Sequence, residues 1–257
     1  MEDAVFIPDG DVFTPTEHAG GPWDPRALHG GAPAALMARA IEAVEPDLDM
    51  FVSRITAEFM RPVPIAPLKL TTEVIRPGNR VQLVQASLTA DGQEVARATA
   101  LRIRQLEIDV PARVEGPMPP PPEEAIPLKD VPWRGFGKAM DPRLVAGSVV
   151  DVGPATVWFN LRVPIVPGEE PSPLMRAVAA ADFGNGISRV LDFTKHLFIN
   201  PDLTVYLHRR PRGEWIALDS ETFADTNGVG LAQSRLFDRH GHVGSSLQAL
   251  LLDSRTL

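Results

Sequence analysis

Apolar and polar residues alternate along several stretches of the chain, and the alternation falls into two similar blocks. Ile55-Thr56-Ala57-Glu58-Phe59-Met60-Arg61-Pro62 reads as a strand, since apolar residues at every second position line one face of an extended backbone. Leu83 to Thr89 alternates in the same way, reaches Ala90-Asp91-Gly92, and returns from Glu94 to Ile103. Asp-Gly between alternating runs predicts a tight hairpin. Leu203 to Pro211 then repeats the first pattern 148 positions later. Gly230 to Phe237 runs into Asp238-Arg239-His240-Gly241, and Val243 to Leu252 returns. The turn residues Gly92 and Gly241 are 149 positions apart, so two displacements agree and predict a duplicated unit.

Each block also carries one helical stretch ahead of those strands. His29-Gly30-Gly31 leads into Ala32-Pro33-Ala34-Ala35-Leu36-Met37-Ala38-Arg39-Ala40-Ile41. Pro33 suits a first helical turn, where its missing N–H leaves no bond unmade. Alanine around most of this helix predicts that it is closely enclosed rather than half in water. In the second block Ser172 can cap a helix with Pro173 at its first position, Leu174 to Asp182 continues it, and Phe183-Gly184-Asn185-Gly186 is expected to end it. An early strand, a buried small-residue helix and several antiparallel strands describe a curved sheet wrapped around one helix. The expected class is α+β, with two antiparallel sheets, each wrapped around a central helix.

Proline marks the division between the blocks. Eight of the 26 prolines lie from Pro111 to Pro132, including the run Pro119-Pro120-Pro121-Pro122 before Glu123-Glu124. Such a segment favours extended polyproline II and cannot continue a helix or a central strand. A stiff connector over 111–132 is expected between units at 1–110 and 133–257. A ligand for a proline-recognising domain is the other reading of that run.

Composition narrows the chemistry. The 257 residues carry 25 Lys+Arg against 33 Asp+Glu, a net charge of −8 with no basic run, which disfavours binding to a nucleic-acid backbone. The absence of cysteine removes disulfides, thiol nucleophiles and thiolate metal sites together. The acidic start MEDAVFIPDGD lacks the features of a signal peptide, and no stretch approaches the ~18 continuous apolar residues of a membrane span. A soluble, cytoplasmic protein is expected. There is no G-x-S-x-G, G-x-x-x-x-G-K-[ST] or G-x-G-x-x-G, so a nucleophile elbow and nucleotide loops are unsupported. His240 and His242 fall on a hairpin tip with no third ligand indicated, and read as a solvated turn rather than a metal site. Arg209-Arg210-Pro211-Arg212 is the best local basic cluster.

The sequence resembles the type II acyl-CoA thioesterase family, whose members are double-hotdog proteins. The resemblance rests on Gly21-Pro22-Trp23-Asp24-Pro25 with His29-Gly30-Gly31-Ala32, on Ala180-Ala181-Asp182-Phe183-Gly184-Asn185-Gly186, and on the final hairpin with Ser246-Leu247-Gln248. It implies a double hotdog that hydrolyses acyl-CoA thioesters with no cofactor or metal. It also implies a catalytic Asp at the end of the second helix, matched by Asp182, and a Gln on the last strand, matched by Gln248. Between them the family uses Thr or Ser, where this chain has Asn200. Asn supplies an amide but no hydroxyl, and Thr204 is the hydroxyl if the correspondence slips by four residues.

Physical reasoning leaves alternatives beside these roles. Asp182 falls in the last turn of its helix, where the macrodipole disfavours an anion by ~0.3–1 kcal/mol, as suits a general base. It can equally belong to the glycine-rich turn. Gln248 pointing inward needs partners, such as a water shared with Asp182; pointing outward it is an edge-strand amide. Asn200 before Pro201 is also a turn former. Backbone N–H groups at His29-Gly30-Gly31 can hold a carbonyl oxygen, or form a tight entry turn. Trp23 and Trp158 read as core or pocket wall.

Three rival functions stand beside hydrolysis. A hotdog enoyl-CoA hydratase needs D-x-N-P-x-H, which Phe198-Ile199-Asn200-Pro201-Asp202-Leu203 lacks at both ends. A non-catalytic acyl-CoA or lipid-binding protein is favoured by Asn200, and a structural double-hotdog subunit by a short pocket. A homodimer is expected from exposed sheet edges.

Overall fold

The computed structural model describes residues 3–45, 48–110 and 116–255. In the first half, β1 (Phe6–Asp9) and β2 (Val12–Pro15) precede helix α1 (Gly31–Glu42), and β3 (Met50–Phe59), β4 (Leu68–Arg76), β5 (Val81–Ala90) and β6 (Gln93–Arg104) follow it. In the second half β7 (Ile126–Pro127), β8 (Met140–Ala146) and β9 (Ala155–Leu161) precede α2 (Pro173–Ala181) and the short α3 (Gly184–Ile187). Strands β10 (His196–Ile199), β11 (Asp202–Leu207), β12 (Trp215–Ala224), β13 (Val229–Asp238) and β14 (Gly241–Ser254) complete the chain. The predicted hairpins are present. Asp91 and Gly92 take φ of 50° and 75° between β5 and β6, the left-handed pair that a two-residue turn requires.

The two expected sheets are one. Their strands follow the order β1-β2-β4-β5-β6-β3-β11-β14-β13-β12-β9-β8-β7, with β10 added on β14. The join is antiparallel pairing of β3 with β11, in which Thr204 lies opposite Thr56, Val205 opposite Ile55 and Leu203 opposite Ala57. Thr56 and Thr204 are 148 positions apart and share a hydrogen bond of 3.1 Å between their hydroxyls. A residue that faces its own counterpart across an antiparallel pair marks an internal twofold axis. Backbone hydrogen bonding continues across that axis because both strands would otherwise be edges with unpaired N–H and C=O groups.

The helices sit on the same side of the seam and touch each other. From Gly31 to Ile41 every residue of α1 except Arg39 is buried, as its alanine content predicts. Helix α1 packs on β3 to β6, and α2 on β9 and β11 to β13. Ser172 caps α2 through a hydrogen bond of 3.1 Å from the Met175 amide, with Pro173 at the first position. Helix α2 ends at Ala181, just ahead of Phe183-Gly184-Asn185-Gly186 as expected, and the short α3 begins within that segment. Neither Gly184 nor Gly186 adopts positive φ. Gly184 serves close packing instead, since a Cβ there would lie 2.8 Å from Ser234 Oγ and 3.1 Å from Gln248 Oε1.

The proline-rich segment lies against the second half over its described part. Trp158 Nε1 donates to the Pro120 carbonyl at 2.8 Å, and Arg143 Nη1 donates to that of Pro122 at 3.0 Å. Residues 111–115 of the expected connector lie outside the described residues. No helix among the described residues is long and apolar enough to cross a membrane.

One ionised cluster locks the β13–β14 turn. Asp238 is buried and takes two bonds from Arg209, at 2.6 and 2.7 Å, and one each from the Arg212 and His240 amides, at 2.8 and 2.7 Å. Burial opposes ionisation of Asp238, but these donors outweigh it and hold the carboxyl below the usual range. Its stabilisation is therefore complete above the unfolded value near about 4 and is lost as pH falls through the lower folded value. Asp238→Asn is expected to cost about 3 kcal/mol at neutral pH by urea denaturation, with the deficit shrinking in that acid window. A deficit that does not change with pH would show that the carboxylate charge is not its source.

Candidate active site

The antiparallel seating of α1 and α2 brings the end of α2 to the start of α1, and the chemistry collects there. Asp182 is the C-cap of α2 and is only 4% exposed. Gly30 is the N-cap of α1, and a Cβ on it would lie 2.9 Å from Asp182 Oδ2 and 2.8 Å from the Phe59 ring. At Gly31 a Cβ would meet the Ala179 carbonyl oxygen at 3.0 Å and the Phe136 ring at 2.9 Å. The two glycines are thus required by close approach of the helices. The approach also changes the electrostatics expected from α2 alone. The C-terminal end of α2 disfavours the Asp182 anion, whereas the N-terminal end of α1 against the same carboxylate favours it by a similar ~0.3–1 kcal/mol.

The structure brings Asp182, Asn200, Gln248 and His29 together. Asn200 Nδ2 donates to Asp182 Oδ1 at 2.8 Å, and Gln248 Nε2 donates to the same oxygen at 3.3 Å. Gln248 is buried and points inward from β14, and its Oε1 accepts from the Asn185 amide at 3.1 Å. Asn200 also donates to the Asp202 carbonyl at 3.1 Å, so it holds the local turn and the carboxylate at once. Both side-chain amides therefore hold Asp182, each anchored by a second bond to nearby backbone. Thr204 is not part of the cluster, being bonded to Thr56 at the seam.

His29 does more than orient two glycines. Its Nδ1 lies 2.9 Å from Asp182 Oδ2 and 3.2 Å from the Gly31 nitrogen. One nitrogen cannot serve both contacts, since the carboxylate needs a proton on it and the amide needs a lone pair. The Gly31 N–H makes the hydrogen bond to Nδ1, and Asp182 Oδ2 stands against the same nitrogen as a close carboxyl–imidazole contact. The ring is held between Phe183 and Phe136, with centroids at 4.4 and 5.5 Å.

Sequence reasoning missed the residues behind this cluster. Asn185 is buried, holds Gln248 through its amide N–H, and donates from Nδ2 to the Phe198 carbonyl at 3.2 Å. Ser220 and Ser234 share a hydroxyl bond of 2.7 Å beneath Gly184, and Ser188 and Thr222 share another of 2.7 Å. The signal lay in alternation, because Ser220, Thr222, Ser234 and Ser246 all fall on inward positions of their strands. Trp158 is core, as one expectation held, while Trp23 stacks on Phe193 at 4.6 Å and meets Phe198 edge-on at 4.7 Å. Among the described residues no group of three or more acidic or histidine side chains is placed to hold a metal.

The architecture is that of known structures. An acyl-CoA thioesterase II, TesB2, from Mycobacterium marinum superposes with a TM-score of 0.65 at 18% identity, over 96% of this chain and 95% of that one. A conserved protein with hot dog fold from Alicyclobacillus acidocaldarius gives 0.75 at 17% identity, over 99% and 97%. The tesB protein of Mycobacterium avium subsp. paratuberculosis gives 0.64 at 17%, over 96% of each chain. At such identities the likeness establishes a hot dog fold. No curated protein matches the chain significantly by sequence. The family is given by domain matches: residues 19–103 match the acyl-CoA thioesterase N-terminal domain and 114–252 its C-terminal domain. The chain belongs to the acyl-CoA thioesterase family, which makes it a thioester hydrolase by class.

The tight meeting of the helices is open to test. Gly31→Ala should gain up to about 1 kcal/mol of helix propensity, yet lose about 1–3 kcal/mol to overpacking against Ala179 and Phe136. Net destabilisation by urea denaturation is expected. A stabilised variant would contradict the close approach.

Proposed function

We propose that this chain is a double hotdog that hydrolyses an acyl-CoA thioester with Asp182 as general base. The observation that carries this reading is the hold on Asp182 by His29, Asn200 and Gln248 at the junction of the two helices. A carboxylate has about four lone-pair positions. Asn200 and Gln248 occupy those of Oδ1, and His29 Nδ1 stands 2.9 Å from Oδ2. The remaining Oδ2 position, on the side of the α1 start, is left for a water.

The step balances without a covalent enzyme intermediate. Asp182 Oδ2 takes one proton from the water as its oxygen bonds to the thioester carbon. The carbonyl electrons move to oxygen, and the oxyanion is held by N–H groups at the start of α1. The Gly31 N–H donates to His29 Nδ1 in this structure and would exchange that acceptor for the oxyanion. When the carbonyl re-forms, the C–S bond breaks and coenzyme A leaves as thiolate. The proton on Asp182 then passes to that thiolate, giving free acid and coenzyme A and restoring the carboxylate. Asn200 and Gln248 act by fixing the carboxylate, and an amide at 200 performs that task without a hydroxyl. This supports hydrolysis over the non-catalytic binding role that Asn200 raised.

Free-thiol release from acyl-CoAs of increasing length is expected for the wild type, and Asp182→Asn should lower kcat by about 10²–10⁴. Rates equal to those without enzyme for every acyl-CoA would refute the proposal. Asn200→Asp should place a second carboxylate against Oδ1, so that the pair retains a proton. The acid limb of the pH–rate profile should then move upward. An unmoved limb would mean that residue 200 does not touch the reacting carboxylate.

A further inference from the structure

The internal twofold relates the active-site junction to a second one. At the first, the acidic end of α2 meets the start of α1. At the other, Glu42, the last residue of α1, accepts a hydrogen bond from the hydroxyl of Ser172, the N-cap of α2. The junctions have diverged in opposite directions. Around Asp182 stand His29, Asn200 and Gln248. Around Glu42 there is a cavity of about 380 Å³, which Met50, Leu174, Leu207, Arg102 and Arg210 also line. That volume is at the lower end of the ~300–1,000 Å³ usual for small-molecule sites.

Arg102 gives the cavity a chemical preference. It is 3% exposed, and its Nη1 donates to the Val44 carbonyl at 2.7 Å and to Gln82 Oε1 at 3.0 Å. Both acceptors are neutral, and its Nε is buried without a hydrogen-bond partner. The Glu45 and Glu42 carboxylates offset its charge through space, but its hydrogen-bonding capacity is met only in part, and a bound carboxylate would add to it. Arg210 adds a second guanidinium at the exposed rim, tethered to Gln105 Oε1 at 3.2 Å. Glu42 and Asp49 also line the space, so a ligand with several negative charges is disfavoured. Burial pushes the Glu42 carboxyl up, against the Ser172 bond and the two arginines, which lessens its repulsion of a single charge. Met50, Leu174 and Leu207 supply a buried apolar wall. One negative charge on an apolar tail fits this lining.

We propose that this cavity is a second ligand site, for a monocarboxylate with a short or medium alkyl chain. Its head would meet Arg102 and Arg210 and its tail would lie against Met50, Leu174 and Leu207. Such a molecule is the acid product of thioester hydrolysis, so a role in sensing product rests on the proposed function. Binding itself does not, because the acid can be offered directly.

The test is calorimetric titration of the full chain with sodium octanoate, with octylamine and free coenzyme A as comparisons. Octanoate should bind wild type and Asp182→Asn alike, and about tenfold more weakly to Arg210→Glu and Arg102→Gln, through loss of a charged hydrogen bond. Arg210 is exposed, so its variant decides the matter if Arg102→Gln does not fold. Amide shifts on octanoate addition should centre on Glu42, Met50 and Leu207. Absence of binding at millimolar octanoate would overturn the site. So would equal binding of octylamine, tighter binding of coenzyme A that displaces octanoate, or loss of binding in Asp182→Asn alone. Thiol release by wild type is measured separately, so failure of this site and failure of thioester hydrolysis are distinguishable.

Discussion

The pairing of β3 with β11 is the constraint from which the other arrangements follow. It makes one sheet of two halves, and it does so antiparallel, with Thr56 facing Thr204. A twofold relation between the halves then requires their helices to run in opposite directions, so each helix end meets the start of the other. A carboxylate at the end of α2 is thereby completed by groups from the far half of the chain. His29 comes from the loop before α1, whereas Asn200 comes from the turn between β10 and β11 and Gln248 from β14. Neither half alone contains the cluster.

Packing at the junction explains the residue types found there. Helix starts carry unpaired N–H groups, and a carboxylate can approach them only where side chains do not intervene. Gly30 and Gly31 remove that obstruction for α1, and Gly184 removes another beneath Gln248. Phe183 and Phe136 meet the imidazole at a tilt, and Phe159 stacks on Phe183 at 4.8 Å, which keeps the space apolar. In such surroundings a polar side chain must be paired, and Asp182, Gln248 and Asn185 are paired with one another or with backbone. In the proposed mechanism, function and stability therefore draw on the same hydrogen bonds.

Much of this was legible in the sequence, for identifiable reasons. The period-two alternation of β3, β5, β6, β13 and β14 reflects burial on one face, and Asp91-Gly92 specifies its turn locally. The all-round alanine surface of α1 foretold enclosure between a sheet and another helix. The displacement of 148 positions foretold the duplication, though not that the duplicated strands would pair with each other and merge two sheets. That pairing depends on tertiary arrangement, which no local pattern records. The same applies to His29. Its contact with Asp182 spans the two halves, so proximity to two glycines was the only role its neighbours suggested. The glycines at 183–186 do mark the end of α2, but the close packing of Gly184 against Ser234 and Gln248 comes from residues far along the chain.

The central claim is that His29 acts through the Asp182 carboxylate, across the junction of the halves. A double-mutant cycle on kcat/KM for acyl-CoA hydrolysis, with His29→Asn and Asp182→Asn alone and combined, addresses it directly. The account predicts strong non-additivity, with the double variant no slower than Asp182→Asn alone. Losses that simply add would contradict it, showing that the two side chains contribute independently and that the junction does not form one catalytic unit.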